Sequence, residues 1–439
     1  MLKRLLLGIL GLLILTGIAI IALSWYFALV PVSPPSDDAF SPQIIAQGQM
    51  LAGIGNCAAC HTVKSGKSFA GGLGMETPFG KLYSTDIAPD PSTGIGSYSQ
   101  VAFKRAMTQG IRRDGAHLFP VSPYTHFTTV NDADLAALCA FLMTQPPIIA
   151  PARDNTVPFP LNVRAFQVIW KQLYFAEEPL PTNAAKRLDW NRGRYLAEGL
   201  AHCASCHTPR NTLGAEQLYA AYFGTDIDGW YALALTSANT APLPWTEAEL
   251  FVYLRNGATA LHGVAVGPMS QVVHEGLAQS SDADLHALAT YYADLNASAT
   301  AAVNTDEVLA SVMQKSAQSS GLQNDRSATL YLAACASCHA NSAGSPALLR
   351  PELGLNSALK AAEPTNLIRV ILHGVGQDEV IPGVIMPGFS EALSDTEVAE
   401  LSTYLRRRTA LPAWKNLDAS IALARKFSPL NGPISHFVK

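Results

Sequence analysis

A five-residue pattern occurs three times in this chain, as Cys57-Ala-Ala-Cys60-His61, Cys203-Ala-Ser-Cys206-His207 and Cys335-Ala-Ser-Cys338-His339. Two cysteines separated by two residues and followed at once by histidine form the pattern of covalent c-type haem attachment. The thiols add to the haem vinyl groups, and the adjacent imidazole takes one axial position on the iron. Zinc and dithiol chemistry compete with this reading. A structural zinc site gathers paired ligand clusters at short spacing, whereas each pattern here stands far from the next. A redox dithiol needs no histidine after its second cysteine, and here one follows every time. Three covalently bound haem c groups are therefore expected, with the chain folded as small units around them rather than as one large core.

Length and cysteine usage agree with that expectation. At 439 residues the chain is long enough for about three domains. Six of the seven cysteines belong to the three patterns, which leaves only Cys139. It sits in the apolar helical run Asp134-Leu-Ala-Ala-Leu-Cys139-Ala-Phe-Leu and reads as a buried, inert thiol. A net charge of −4 with 15% charged residues gives no sign of nucleic-acid binding.

The amino end reads as a membrane anchor. Lys3 and Arg4 precede an apolar run from Leu5 to Val30, interrupted only by Thr16 and Ser24 among polar residues. About 20 apolar residues span a bilayer. Trp25, Tyr26 and Phe27 at the far end suit the membrane interface, and the two basic residues place the amino terminus in the cytoplasm. A cleaved signal peptide is the alternative; its apolar core is usually only about 7 to 15 residues, and no clear Ala-x-Ala site follows here.

Beyond a proline-rich spacer, a unit of helices is built three times. Gly48-Gln-Met50-Leu51, Gly193-Arg-Tyr195-Leu196 and Ala328-Thr-Leu330-Tyr331 each lead into a haem pattern. Each unit closes with a helix opened by an acidic cap: Asn131-Asp-Ala-Asp134, Ser281-Asp-Ala-Asp284 and Ser394-Asp-Thr-Glu397. Loops around Gly71-Gly72 and from Pro89 to Gly96 are expected to cover haem edges. In the first linker, Phe166-Gln-Val-Ile-Trp170 should pack on a neighbouring domain as a short helix. The second linker, Asn296 to Asn324, is rich in Ala and Ser and is expected to be mobile. The tail from Leu411 to Lys439 either docks on a partner or wraps a domain.

The sixth iron ligands should come from loops ahead of the closing helices. Met269 in Gly267-Pro268-Met269 and Met386 in Ile385-Met386-Pro387-Gly388 fit that place in the second and third units. His/Met ligation raises the potential and suits electron transfer. The corresponding place in the first unit is Ser122, in Val121-Ser122-Pro123-Tyr124-Thr125-His126-Phe127. His126, four residues on, is the favoured replacement, since neutral imidazole ligates haem iron. Met75, Met107 and His117 are further options, as is an open or water-ligated iron. The expected metal ligands are thus His61, His126, His207, Met269, His339 and Met386, with Cys57, Cys60, Cys203, Cys206, Cys335 and Cys338 binding the haems.

From about residue 43 to 410 the chain resembles the cytochrome c subunits of periplasmic membrane-bound dehydrogenases. The first unit carries Thr77-Pro-Phe-Gly80-Lys-Leu-Tyr-Ser84-Thr-Asp86, and the second carries Trp245-Thr-Glu-Ala-Glu-Leu-Phe-Val-Tyr-Leu254-Arg-Asn-Gly257 followed by Gly267-Pro268-Met269. The resemblance implies a mainly α fold of three tandem cytochrome c-type domains behind an N-terminal transmembrane helix. Its parts are an anchor over 1–30, a linker over 31–42 and domain 1 over 43–146. A linker over 147–187, domain 2 over 188–297 and a linker over 298–325 follow, then domain 3 over 326–410 and a tail over 411–439.

The resemblance also implies an electron relay from a separate catalytic subunit to ubiquinone or the respiratory chain, with no substrate-oxidising site in this chain. Pro123-Tyr124-Thr125-His126-Phe127-Thr128, and Pro364-Thr-Asn366-Leu-Ile-Arg369-Val370 in the third unit, look more like cytochromes that serve molybdopterin aldehyde or N-heterocycle dehydrogenases. Pyrroloquinoline quinone alcohol dehydrogenases and flavin sugar or gluconate dehydrogenases are the alternative partners, and a small iron-sulfur subunit is a further one. The expected location is the bacterial inner membrane, with the haem domains in the periplasm. A haem peroxidase or oxidoreductase with an open first iron is the reading from a different class, and a freestanding periplasmic shuttle is a third.

Overall fold

The computed structural model describes residues 26–36, 38–300, 303–318, 325–341, 346–348, 350–376 and 385–426, with scattered positions before residue 26. The expected anchor, Leu5 to Val30, lies largely outside the described residues; among those described, no helix is long and apolar enough to cross a membrane. The chain divides into two compact units. One comprises Met1–Asn183, Tyr195–His202 and Thr212–Ala215, and the other Ala184–Arg194, Cys203–Asn211 and Glu216–Lys439.

In the first unit, α1 (Pro42–Ile54) begins where Ser41 caps the Ile44 amide and Pro42 occupies a position whose N–H would be unbonded anyway. The motif helix α2 (Cys57–His61) follows, then the hairpin β1 (Gly74–Thr77) and β2 (Gly80–Tyr83), and the helices α3 (Gln100–Gln109), α4 (Tyr124–Phe127) and α5 (Asp132–Met143). The core is the crossing of α1 on α5, where Leu51, Ile54, Leu135 and Leu138 are fully buried. Each such side chain contributes about 1.5–3 kcal/mol on leaving water. Gly48 permits the crossing, since a Cβ there would lie 1.9 Å from the Ala137 carbonyl oxygen.

Asn131 caps α5 by accepting from the Asp134 amide at 2.9 Å. The buried Asp134 carboxylate in turn accepts from Gln47 Nε2 at 2.9 Å and from the Tyr195 hydroxyl at 2.7 Å. A buried carboxylate is tolerable when it is supplied with donors in this way. The linker forms a short helix, α6 (Gln167–Tyr174), and packs on the first unit as its apolar sequence suggests. The buried Lys171 ammonium donates to the carbonyls of Gln109 and Gly110 and lies 4.6 Å from the Tyr124 ring centre. Burial pushes its pKa down to about 8.

The second unit repeats the crossing. Helix α7 (Leu188–Glu198) meets α11 (Asp282–Thr300) at Gly193, where a Cβ would lie 1.9 Å from the Ala287 carbonyl oxygen. Arg192 grips Asp284 through two hydrogen bonds of 2.7 and 3.2 Å. Between these helices run α8 (Ala204–His207), the hairpin β3 (Thr225–Ile227) and β4 (Trp230–Ala232), α9 (Glu247–Asn256), the paired β5 (Ala258–Thr259) and β6 (Gly263–Val264), and α10 (Pro268–Gln271).

Within the linker expected to be mobile, Thr305–Gln318 forms a helix, α12. Asn304 caps it by accepting from the Glu307 amide, and its buried Ser316 hydroxyl accepts from the Asn341 amide at 3.1 Å. An acidic first turn at Asp306 and Glu307, followed by Val308, Leu309 and Val312, outweighed the Ala/Ser composition.

The third repeat pairs α13 (Arg326–Ala334) with α16 (Asp395–Arg407), following α14 (Ala336–His339) and α15 (Thr365–His373). Ser394 and Glu397 form a reciprocal capping box at the start of α16. Of the tail, α17 (Leu417–Lys426) wraps this repeat. Ile421 and Ala424 are buried in its core, and Arg425 donates to the Ser390 carbonyl at 2.7 Å and pairs with Asp395. Residues 427–439 lie outside the described ones.

Candidate haem sites

Each motif folds into a short helical turn. The amides of Cys206 and His207 both bond the Cys203 carbonyl, at 3.2 and 3.1 Å, and Cys338 and His339 do the same with Cys335, at 3.1 and 3.0 Å. One turn thus gathers two thiols and an imidazole on a single step of chain. No disulfide joins the paired cysteines. Burial pushes the Cys57 thiol up to about 12 and the Cys335 thiol up to about 11. Cys139 is buried in α5, with its pKa pushed up to about 11 by burial, and reads as an inert core thiol.

The three motif histidines share one arrangement. His61 Nδ1 donates to the Thr85 carbonyl at 2.6 Å, His207 Nδ1 to the Leu233 carbonyl at 2.7 Å, and His339 Nδ1 to the Pro351 carbonyl at 3.1 Å. A carbonyl can only accept, so the proton sits on Nδ1 and the Nε2 lone pair is the one available for a metal. Burial lowers the pKa of all three imidazoles and favours the neutral, ligating form. In the first two repeats the chain then folds back over the histidine: the amide of Gly71 bonds the His61 carbonyl at 2.7 Å, and that of Gly224 the His207 carbonyl at 2.8 Å. Paired thiols with an oriented Nε2 are the donor set that haem c requires, so these residues fit the group.

The expected sixth ligands all precede the closing helices, but two of them sit in short helices rather than in loops. Met269 is half-buried in α10, which starts at Pro268 behind Gly267. Met386 is half-buried in a loop tied to Val375 by two backbone hydrogen bonds of 2.9 and 3.1 Å. His126 is half-buried in α4, just before the cap of α5, and its Nδ1 donates to the Glu198 carbonyl at 3.0 Å. That bond selects the same tautomer as in the three motif histidines. Ser122, on the preceding turn, gives its amide to the Phe119 carbonyl at 3.0 Å. His117 is buried, with its ring edge-on to Tyr26 at 5.4 Å. Met75 pairs with Leu82 in the β1–β2 hairpin, a packing position.

The carbonyls of Thr85, Leu233 and Pro351 were not legible as functional groups, because any residue type supplies a carbonyl. The β3–β4 hairpin did carry a signal. Asp228-Gly229 takes the two positive-φ positions of its turn, with φ of 49° and 72°, and Asp-Gly is among the strongest short hairpin signals.

Residues 45–146 match the family model described as Cytochrome c, and residues 323–405 match the model described as Cytochrome C oxidase, cbb3-type, subunit III. The chain is 42% identical to a nicotinate dehydrogenase subunit of Pseudomonas putida, over 93% of this chain and 34% of that protein. It therefore spans about a third of the length of that relative. It is 36% identical to the fructose dehydrogenase cytochrome subunit of Gluconobacter japonicus, over 85% of this chain and 81% of that one. It is 35% identical to the gluconate 2-dehydrogenase cytochrome c subunit of Pantoea cypripedii, over 84% and 87%. Cytochrome c domains bind haem c covalently, and the relatives of similar length are cytochrome subunits by name. With helical repeats that each present two thiols and an Nδ1-anchored imidazole, this chain belongs to the family of cytochrome c subunits of dehydrogenase complexes.

Proposed function

We propose that the chain binds three haem c groups and relays electrons from a catalytic dehydrogenase subunit to ubiquinone or the respiratory chain. One observation carries the count: the Nδ1-to-carbonyl contact recurs at His61, His207 and His339, within 2.6 to 3.1 Å each time. When bound, each haem supplies a one-electron iron couple. The protein's own residues would hold and tune it: Cys57 and Cys60, Cys203 and Cys206, and Cys335 and Cys338 as covalent attachments, and His61, His207 and His339 as iron ligands. Met269 and Met386 would complete two sites as thioether ligands, and His126 would complete the first. The Glu198 contact supports His126, because it fixes the tautomer with an Nε2 lone pair.

Two imidazoles give the first haem a lower potential than the two His/Met centres, since a thioether favours the reduced iron. Near-infrared magnetic spectra of the oxidised protein are expected to show one bis-His and two His/Met centres. Three His/Met signatures would contradict the role given to His126.

For the catalytic partner we infer a molybdopterin dehydrogenase acting on an aldehyde or an N-heterocycle. The loop Pro123-Tyr124-Thr125-His126 supports this, and so does the 42% identity to a nicotinate dehydrogenase subunit, whose named substrate is an N-heterocyclic acid. Quinone-cofactor alcohol dehydrogenases and flavin sugar dehydrogenases remain the alternative, supported by relatives such as the fructose and gluconate dehydrogenase subunits. The apolar stretch from Leu5 to Val30 would anchor the chain in the inner membrane, with its haem domains in the periplasm. The native complex, purified with its catalytic subunit, is expected to contain molybdenum and to reduce the haems when its substrate is added. A molybdenum-free complex carrying flavin or quinone cofactor would exclude this partner.

A further inference from the structure

We propose that Asn366 and Arg369, on α15 of the third repeat, are positioning residues for the second haem site and make its potential depend on the third repeat. The proposal rests on the reading of His207 and Met269 as ligands of that haem.

The two side chains stand one turn apart on α15 and meet the same strand, β4, in the same compact unit. Asn366 acts as a surrogate strand. Its Oδ1 accepts from the Tyr231 amide at 2.8 Å, and its Nδ2 donates to the Tyr231 carbonyl at 2.8 Å. Arg369 is buried, with 7% of its surface exposed. Its Nη1 donates to the Gly229 carbonyl at 2.9 Å, and its guanidinium lies 4.4 Å from the centre of the Trp230 ring. A buried guanidinium stacked on an indole and bonded to backbone is held far more firmly than a surface charge.

The hairpin gripped in this way touches the surroundings of both His207 and Met269. Leu233, next after β4, offers the carbonyl that orients His207 at 2.7 Å. Gly267, two residues before Met269, packs against Trp230, where a Cβ would come within 2.4 Å of the ring; its φ of 58° also favours glycine. A single guanidinium therefore bears on the ring that supports the thioether loop and on the strand that supports the imidazole. Its guanidinium sits in a poorly solvated place beside that hairpin with Asp228 as its charge partner, so replacing it by a neutral group makes this neighbourhood more negative and favours the oxidised, more positive iron.

Spectropotentiometric titration of the full-length holoprotein tests this, with the second couple identified as the one whose methionine signature is lost in Met269→His. Arg369→Gln is expected to lower that couple's reduced-to-oxidised ratio at fixed potential about tenfold, equal to about 59 mV for one electron. The other two couples should move much less. Arg369→Lys, which keeps the charge, should recover at least half of the shift. Asn366→Ala should move the same couple in the same direction by a smaller amount. An unmoved second couple in Arg369→Gln with a full haem complement would overturn the proposal. Should Arg369→Gln fail to assemble its haems, an unmoved second couple in Asn366→Ala overturns it equally. A wild-type second centre without methionine ligation would instead refute the ligand assignment beneath it.

Discussion

A chain carrying Cys203→Ala together with Cys206→Ala is expected to mature with two covalent haems instead of three, and to lose substrate-driven quinone reduction. The catalytic subunit should keep its turnover with an artificial acceptor that takes electrons directly. In the turn at 203–207 those two thiols are the groups that would take the haem covalently. His207, oriented by the Leu233 carbonyl, would supply a coordinate bond but no covalent link. Haem staining and intact mass on the variant check the count, and quinone reduction by the purified complex checks the relay. Three haems on the double variant would show that attachment does not depend on these cysteines.

The largest loss of stability is expected from Gly193→Val. The α7–α11 crossing brings the Ala287 carbonyl oxygen to 1.9 Å from where a Cβ would stand, so even a methyl group forces the helices apart. Backbone on both sides cannot give way as a flexible side chain would. A cost of about 3 kcal/mol or more follows from overpacking a close helix contact. Separation of the helices would also strain the Arg192–Asp284 pair beside the contact. The third repeat supplies the internal control, since Ala328 occupies the corresponding place and that crossing already accepts a methyl. Ala328→Gly should cost about 2 kcal/mol, the helix-propensity difference plus the loss of a buried methyl. Chemical denaturation followed by haem absorbance would measure both. A Gly193→Val protein as stable as wild type would mean that the helices cross elsewhere.

The same crossings mark how far the sequence could be read. Gly48 and Gly193 were legible as members of an aligned repeat, but not as contact points, because a glycine in a helix also marks a weak position or a cap. The helix caps at Asn131, Ser281 and Ser394 were legible in full, since capping chemistry is local. The haem turns were legible for the same reason: thiol, thiol and imidazole are adjacent in the chain.

What escaped was long-range or carried by backbone. The carbonyls that orient His61, His207 and His339 come from residues 24, 26 and 12 positions away, with no side-chain signature. Asn366 and Arg369 were visible as a family-like string, yet their grip on β4 spans 135 and 140 residues of sequence. The helix at Thr305–Gln318 was hidden by composition, although its acidic first turn and apolar spacing were present. Local chemistry was therefore readable, and the distant contacts that hold it in place were not.

A three-centre relay requires haem at all three motifs. The intact mass of the mature chain, measured under denaturing conditions that strip any non-covalent group, reads this directly. Three covalent haems are predicted; a chain carrying two, with one motif's thiols still open to alkylation, would contradict it.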